Sequence, residues 1–143
     1  MNVLSPIETK RLYKSSIQRV WENVTSQKKL ALWLMPGNFK PEVGHQYHFQ
    51  CYPAEHACDD KVFGEVLEVN EPNFIKFTWR TDHFKEDTVV SFSLNETEGG
   101  VLFEIKHEGF SKSDIAEYDK HVPGWEHHLS LLEKIDQDEK ISS

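Results

Sequence analysis

The apolar residues of this chain change their period twice, and that change limits the fold more than any other feature. Ile17, Val20, Trp21 and Val24 stand at i, i+3, i+4 and i+7, which is one face of a helix. From Tyr47 the period becomes two. Tyr47, Phe49 and Cys51 alternate with His48, Gln50 and Tyr52, and Ile75, Phe77 and Trp79 alternate with Lys76, Thr78 and Arg80. Val90, Phe92 and Leu94 form one face of a further strand, and Val101, Phe103, Ile105 and His107 form one face of the next. After Gly124 the three-four spacing returns in Trp125, His128, Leu129, Leu132 and Ile135.

Punctuation residues set the boundaries. Pro6 to Lys14 reads as an opening strand, and Ser15 or Ser16 can cap the first helix. Thr25 and Ser26 interrupt that helix and can cap a second, which carries Leu30, Trp33 and Leu34 and ends at Pro36-Gly37. Val62 to Val69 is a strand that stops at Asn70-Glu71-Pro72, and Glu98-Gly99-Gly100 is a tight hairpin turn. Ser111 to Pro123 reads as a loop, with at most a helical turn after Ser113. The order is strand, two short helices, five strands, long helix. Consecutive hairpins imply an antiparallel meander, and the helices must cover its aromatic side. The expected fold is α+β: a curved antiparallel six-stranded sheet gripping a long C-terminal helix, as one domain over residues 1–143 with a frayed tail over 137–143.

Composition narrows the function classes. With 38% hydrophobic and 12% aromatic residues in 143, a packed core is within reach. A formal net charge of −8 argues against a nucleic-acid backbone or an anionic membrane surface as the main partner. No run approaches the roughly 20 apolar residues of a membrane helix, and no signal peptide is visible behind Met1, so a cytoplasmic location is expected. In that compartment Cys51 and Cys58 are not a disulfide framework.

His45, His48, Cys51, His56 and Cys58 form the densest group of candidate metal ligands. Six residues lie between the cysteines, and His48 and Cys51 fall on opposite faces of one strand, which departs from zinc-ligand spacing. No metal and no cofactor is expected. His127 and His128 are adjacent on a helix, so they diverge by about 100° and cannot form an i, i+4 ligand pair. Glu65, Glu68, Asp82 and Glu104 are the candidate acids. Glu68 shares the phase of Val66 and could point inward, although a place at the strand-end rim is the preferred reading. No G-x-S-x-G elbow, Walker loop or H-E-x-x-H occurs.

Several segments, in order, resemble the family of homologues of the activator of heat shock protein 90 ATPase. Ser16-Ile17-Gln18-Arg19-Val20-Trp21 resembles the start of its first helix, and Leu30-Ala31-Leu32-Trp33 its second. Gly64 to Pro72, followed by Phe77-Thr78-Trp79, resembles its central strands, and Gly109-Phe110 and Gly124-Trp125 stand where its late pairs stand. The resemblance implies the helix-grip superfamily of START-type lipid-transfer domains and birch-pollen-allergen folds. Its members hold lipids, sterols, flavonoids or polyketides between sheet and helix, and some are aromatases or cyclases. The leading expectation is non-enzymatic binding of a small hydrophobic ligand, lipid-like or polyaromatic. The alternatives are an accessory factor with a chaperone partner and a cyclase-type enzyme.

The aromatic set supports the first reading. Trp33, Phe39, Tyr47, Phe49, Phe63, Phe77, Trp79, Phe92, Phe103 and Trp125 are many large side chains for so short a chain. Trp125, His128, Leu129 and Leu132 should face Phe77, Trp79, Phe92 and Phe103 across a cavity, with Val66, Ile105, Tyr47 and Phe49 in its wall. Trp33 and Phe39 are expected at the entrance, and His107 and His128 as the polar contacts for a guest.

Overall fold

A computed structural model of the chain describes the backbone at residues 4–50, 61–81 and 87–142, and side chains as far as residue 135. Ser16 closes the first helix as expected: its hydroxyl accepts the Arg19 amide at 3.2 Å, which satisfies one of the free donors of the first turn. That helix, α1 (Ile17–Thr25), buries Ile17, Val20, Trp21 and Val24. It follows strand β1 (Ile7–Tyr13) and leads directly into α2 (Gln27–Trp33). The Trp33 indole N–H donates to the Asn23 carbonyl at 2.7 Å and ties α2 back onto α1.

The remaining strands are β2 (Gln46–Gln50), β3 (Lys61–Asn70), β4 (Phe74–Thr81), β5 (Thr88–Thr97) and β6 (Gly100–Glu108). All pairings are antiparallel, and the six-stranded sheet has the order β1-β6-β5-β4-β3-β2. The first strand returns to pair with the last, from Ile7 opposite His107 to Tyr13 opposite Val101. The β3–β4 turn contains a cis Glu71–Pro72 peptide. Beyond β2, the segment after α2 continues the ladder: Asn38 donates to the His48 carbonyl at 3.2 Å and Gln50 to the Pro36 carbonyl at 3.0 Å.

Alternation holds on β4 and β6 and, apart from Ser91, on β5: Ile75, Phe77, Trp79, Val90, Phe92, Leu94, Val101, Phe103, Ile105 and His107 are all buried. It breaks on β3. A register shift between Val66 and Glu68 inserts a bulge, so Val66 is buried while Leu67 and Glu68 are both exposed. An extra residue in one strand reverses the phase downstream of it. Glu68 therefore sits outside, as the rim reading has it. Phe63 also faces out, at 40% exposure, and does not belong to the aromatic wall. Gly64 is fixed by close approach, because a Cβ there would lie 2.1 Å from the Thr78 carbonyl oxygen.

The long helix starts earlier than its apolar stripe. After a 3-10 turn at Lys112–Asp114, α3 runs from Ile115 to Ser142 and passes straight through Pro123 and Gly124. The loop expected over Ser111 to Pro123 is therefore mostly helix. The inward residues of the 3-10 turn and this first part are Asp114, Glu117, Tyr118 and His121, mostly polar, while Ile115 and Val122 point to solvent, at 46% and 42% exposure. An apolar period cannot reveal a helix whose buried face is mostly polar. α3 lies against β1 and α2. Arg11 on β1 reaches Glu126 at 2.7 Å and Glu133 at 3.9 Å, and Thr9 donates a hydrogen bond to Glu126.

Candidate functional site

The inner face of the sheet, α2 and α3 bring the predicted aromatic residues into one body of rings. Phe39 stacks on Phe49 at 5.8 Å and meets Tyr47 and Phe77 edge-on at 5.2 Å each. Phe77 meets Phe92 at 5.2 Å, and Phe92 meets Phe103 at 5.2 Å. From α3, Trp125 packs on Trp79 at 5.2 Å and on Phe92 at 6.2 Å. These tilted and edge-to-face contacts are the favoured geometry for aromatic pairs. Leu129 and Leu132 are buried beside them, together with Val66 and Ile105. Trp33 and Phe39, expected at an entrance, are buried instead, at 1% and 3% exposure. Trp33 packs on Phe92 and Phe103, because its indole bond to Asn23 holds it against the sheet.

Within this apolar body lies a polar relay around His107, which is fully buried. The Trp125 indole N–H donates to His107 Nδ1 at 3.0 Å. Thr88 lies 2.7 Å from His107 Nε2 and gives its own hydroxyl proton to the Trp79 carbonyl. Donor arithmetic then assigns the tautomer: Nδ1 accepts, so Nε2 carries the proton and donates to Thr88. The Trp79 indole N–H donates to His121 Nε2 at 3.2 Å, and His121 Nδ1 in turn donates to the Glu117 carbonyl at 2.7 Å. The two imidazoles stand 5.3 Å apart between ring centroids. Burial pushes the pKa of His107 well below the usual histidine range, and His121 lowers it further. His107 is thus a neutral structural hydrogen-bonder with both ring nitrogens engaged.

His128 is half-buried and its Nδ1 lies 2.9 Å from the Trp33 carbonyl, so it ties α3 to α2. The Tyr47 hydroxyl donates to the Thr78 carbonyl, and burial followed by the charge of Asp87 raises its pKa well above the usual phenol value. The two histidines expected to orient a guest already have partners inside the protein. Glu117 has one partner too few. It is 7% exposed, Lys120 reaches its Oε1 at 3.3 Å, and its buried Oε2 has no hydrogen-bond partner among the described residues. Sequence reading passed over Glu117. The available signal was the spacing of Asp114, Glu117 and His121, three and four apart.

Of the candidate metal ligands, His48 is exposed and His45 Nε2 lies 2.7 Å from the Asn38 carbonyl, while Cys51, His56 and Cys58 lie outside the described residues. No group of three metal-ligating side chains occurs among the described residues. Glu65 is exposed, Glu104 lies on the outward phase of β6, and Asp82 is outside the described residues. An open groove of about 540 Å³ lies at the other end of the sheet from His107, between Lys14, Ser16 and Arg19 and the Glu98–Gly100 turn. It shares no lining residue with the ring cluster. No described helix is long and apolar enough to cross a membrane.

Comparison with known proteins matches this architecture. A family model described as Activator of Hsp90 ATPase homolog 1-like protein matches residues 14–136. A crystal structure of a Mesorhizobium loti protein is similar at 24% identity and a TM-score of 0.83, over 94% of this chain and 98% of that one. A solution structure of a Bacillus halodurans protein is similar at 29% identity and a TM-score of 0.75, over 94% and 99%. DynU16, described as a protein of the dynemicin biosynthetic locus, shares the fold at 17% identity and a TM-score of 0.75, over 90% of this chain and 46% of that one. No curated protein sequence matches the chain.

Proposed function

Since the chain belongs to the Activator of Hsp90 ATPase homolog 1-like family, we propose that it binds a small, mainly apolar molecule between the inner face of the sheet and α3, without chemical turnover. The observation that carries this reading is the convergence of Phe39, Tyr47, Phe49, Phe77, Trp79, Phe92 and Trp125 on one interior surface. Burying one large aromatic side chain contributes roughly 1.5–3 kcal/mol. A plain core needs such residues too, but it does not need an unpartnered buried carboxylate oxygen, which Glu117 of α3 presents. A guest would lie against Trp79, beside the first turns of α3, whose His121 accepts the Trp79 indole N–H.

Native mass spectrometry of freshly purified protein tests the proposal. A co-purifying small molecule, released on denaturation and displaced by flavonoids or chalcones with a change in tryptophan emission, is the expected result. If no compound from such a panel, fatty acids included, changes the emission, the ligand reading fails. The family description then makes a chaperone the partner to test, by the ATPase rate of the chaperone with and without this chain.

A further inference from the structure

Glu117 is an anomaly for a protein core. Buried polar atoms are almost always hydrogen-bonded, and a bare acceptor costs the folded state without return. Its Oε2 is buried and unpartnered among the described residues, while Oε1 is held by Lys120. Helical geometry fixes which flank of α3 it occupies. Viewed down α3, Tyr118 stands about 60° to one side of His121 and Glu117 about 40° to the other. Tyr118 packs on Phe110, just after β6, at 5.3 Å. His121, between them, receives the Trp79 indole N–H. Glu117 therefore lies on the flank of α3 away from Tyr118, one turn before the His121 ring that accepts the Trp79 indole N–H and donates to the Glu117 carbonyl.

Resting on the ligand reading above, we propose that Glu117 is the polar anchor of the guest: its free carboxylate oxygen accepts a hydrogen bond from a hydroxyl, and the preferred ligands are neutral, phenol-like aromatic molecules that stack against Trp79. Three observations select this chemistry. His107 and His128 are engaged inside the protein and do not compete for the guest. A carboxylate has only acceptors to offer, so the guest must bring a donor, which excludes fatty-acid head groups. The ammonium of Lys120 already sits on the other oxygen, so a second cation is disfavoured and a neutral donor is not.

Naphthalene, 2-naphthol and 2-naphthoate, titrated while following the tryptophan indole N–H signals by NMR, separate the alternatives. Wild-type protein should bind 2-naphthol roughly tenfold more tightly than naphthalene, the size of one hydrogen bond to a charged group, and 2-naphthoate least well. In Glu117→Leu the preference for 2-naphthol over naphthalene should fall to about one, with a melting temperature no lower than wild type, because a bare buried acceptor has been removed. Glu117→Gln, which keeps a carbonyl acceptor, should retain part of the preference. If both neutral compounds bind wild type equally, or Glu117→Leu keeps the preference, the anchor is refuted and the apolar site stands. If Glu117→Leu melts far below wild type, Glu117 is a structural residue and the anchor is refuted as well. If no compound moves any indole signal, the ligand reading falls together with the anchor.

Discussion

The two parts of α3, before and after Pro123-Gly124, meet the sheet by different physics. The later part lays Trp125, Leu129 and Leu132 into the ring cluster, all buried at 2% exposure or less. The earlier part presents Glu117, Tyr118 and His121, and holds through the Trp79–His121 hydrogen bond and the contact of Tyr118 with Phe110. Apolar burial is strong and needs no partner geometry, whereas a polar contact gains little net energy over water. One helix thus carries an anchored segment and a lightly held one. Pro123 cannot donate the amide that would bind one turn back, and Gly124 is the most permissive residue at which to join the two parts.

Trp125→Ala is the strongest way to break this contrast. It removes the largest anchor and the donor to His107, and should cost about 3–5 kcal/mol in urea unfolding. A loss below about 1 kcal/mol would mean that the later part is no better anchored than the earlier.

Acid should act on the relay beneath the helix. An unfolded histidine titrates near pH 6.5, and His107 in the folded protein titrates well below that. The unfolded chain then takes up a proton that the folded chain refuses. The contribution is complete above about pH 6.5 and declines by about 1.4 kcal/mol per pH unit as the pH falls toward the folded value. Unfolding curves between pH 7 and 5.5 measure this slope, and His107→Gln should flatten it.

Gly124→Ala probes the junction. A Cβ at Gly124 would meet nothing within 4 Å, so the change should stabilise the helix by about 0.5–1 kcal/mol. Hydrogen exchange of the amides before residue 123 should slow with it. A destabilising result would show that the junction is strained rather than merely loose.

The smallest effect belongs to the clamp on β1. Glu126 is held below the usual carboxylate range, first by the Thr9 hydroxyl and then by Arg11, although burial works the other way. Both partners are well exposed, at 35% and 48% for Arg11 and Glu126. Arg11→Met should therefore cost about 0.2–1 kcal/mol, and the cost should shrink in high salt.

Most of the fold was legible because burial and sequence period coincide. Ile75, Phe77 and Trp79 of β4 and every inward residue of β6 were assigned from alternation, and Trp125, Leu129 and Leu132 from their stripe. Reading failed where burial and apolarity part company. Asp114, Glu117 and His121 are inward but polar, so the first two turns of α3 passed for a loop. Glu68 was ambiguous because a bulge leaves no mark in residue type. Trp33 lay on the correct face, but its bond to Asn23 is a long-range fact that no local pattern encodes. The ring cluster was readable as a set except for Phe63, which faces out. The exception, Glu117, carries the sharpest chemical hypothesis and had no apolar signal at all.

The segment that follows α2 has a consequence beyond the interior. A strand at the border of a sheet is a template on which an identical chain can add its own strand, and repeated addition leads to fibrils. At β2 the His48 carbonyl and the Gln50 amide are already taken by Asn38 and Pro36 of the same chain. The new outer row includes Pro36, which has no amide to offer. The turn out of a helix thus doubles as a terminator that stops the sheet from propagating at this border.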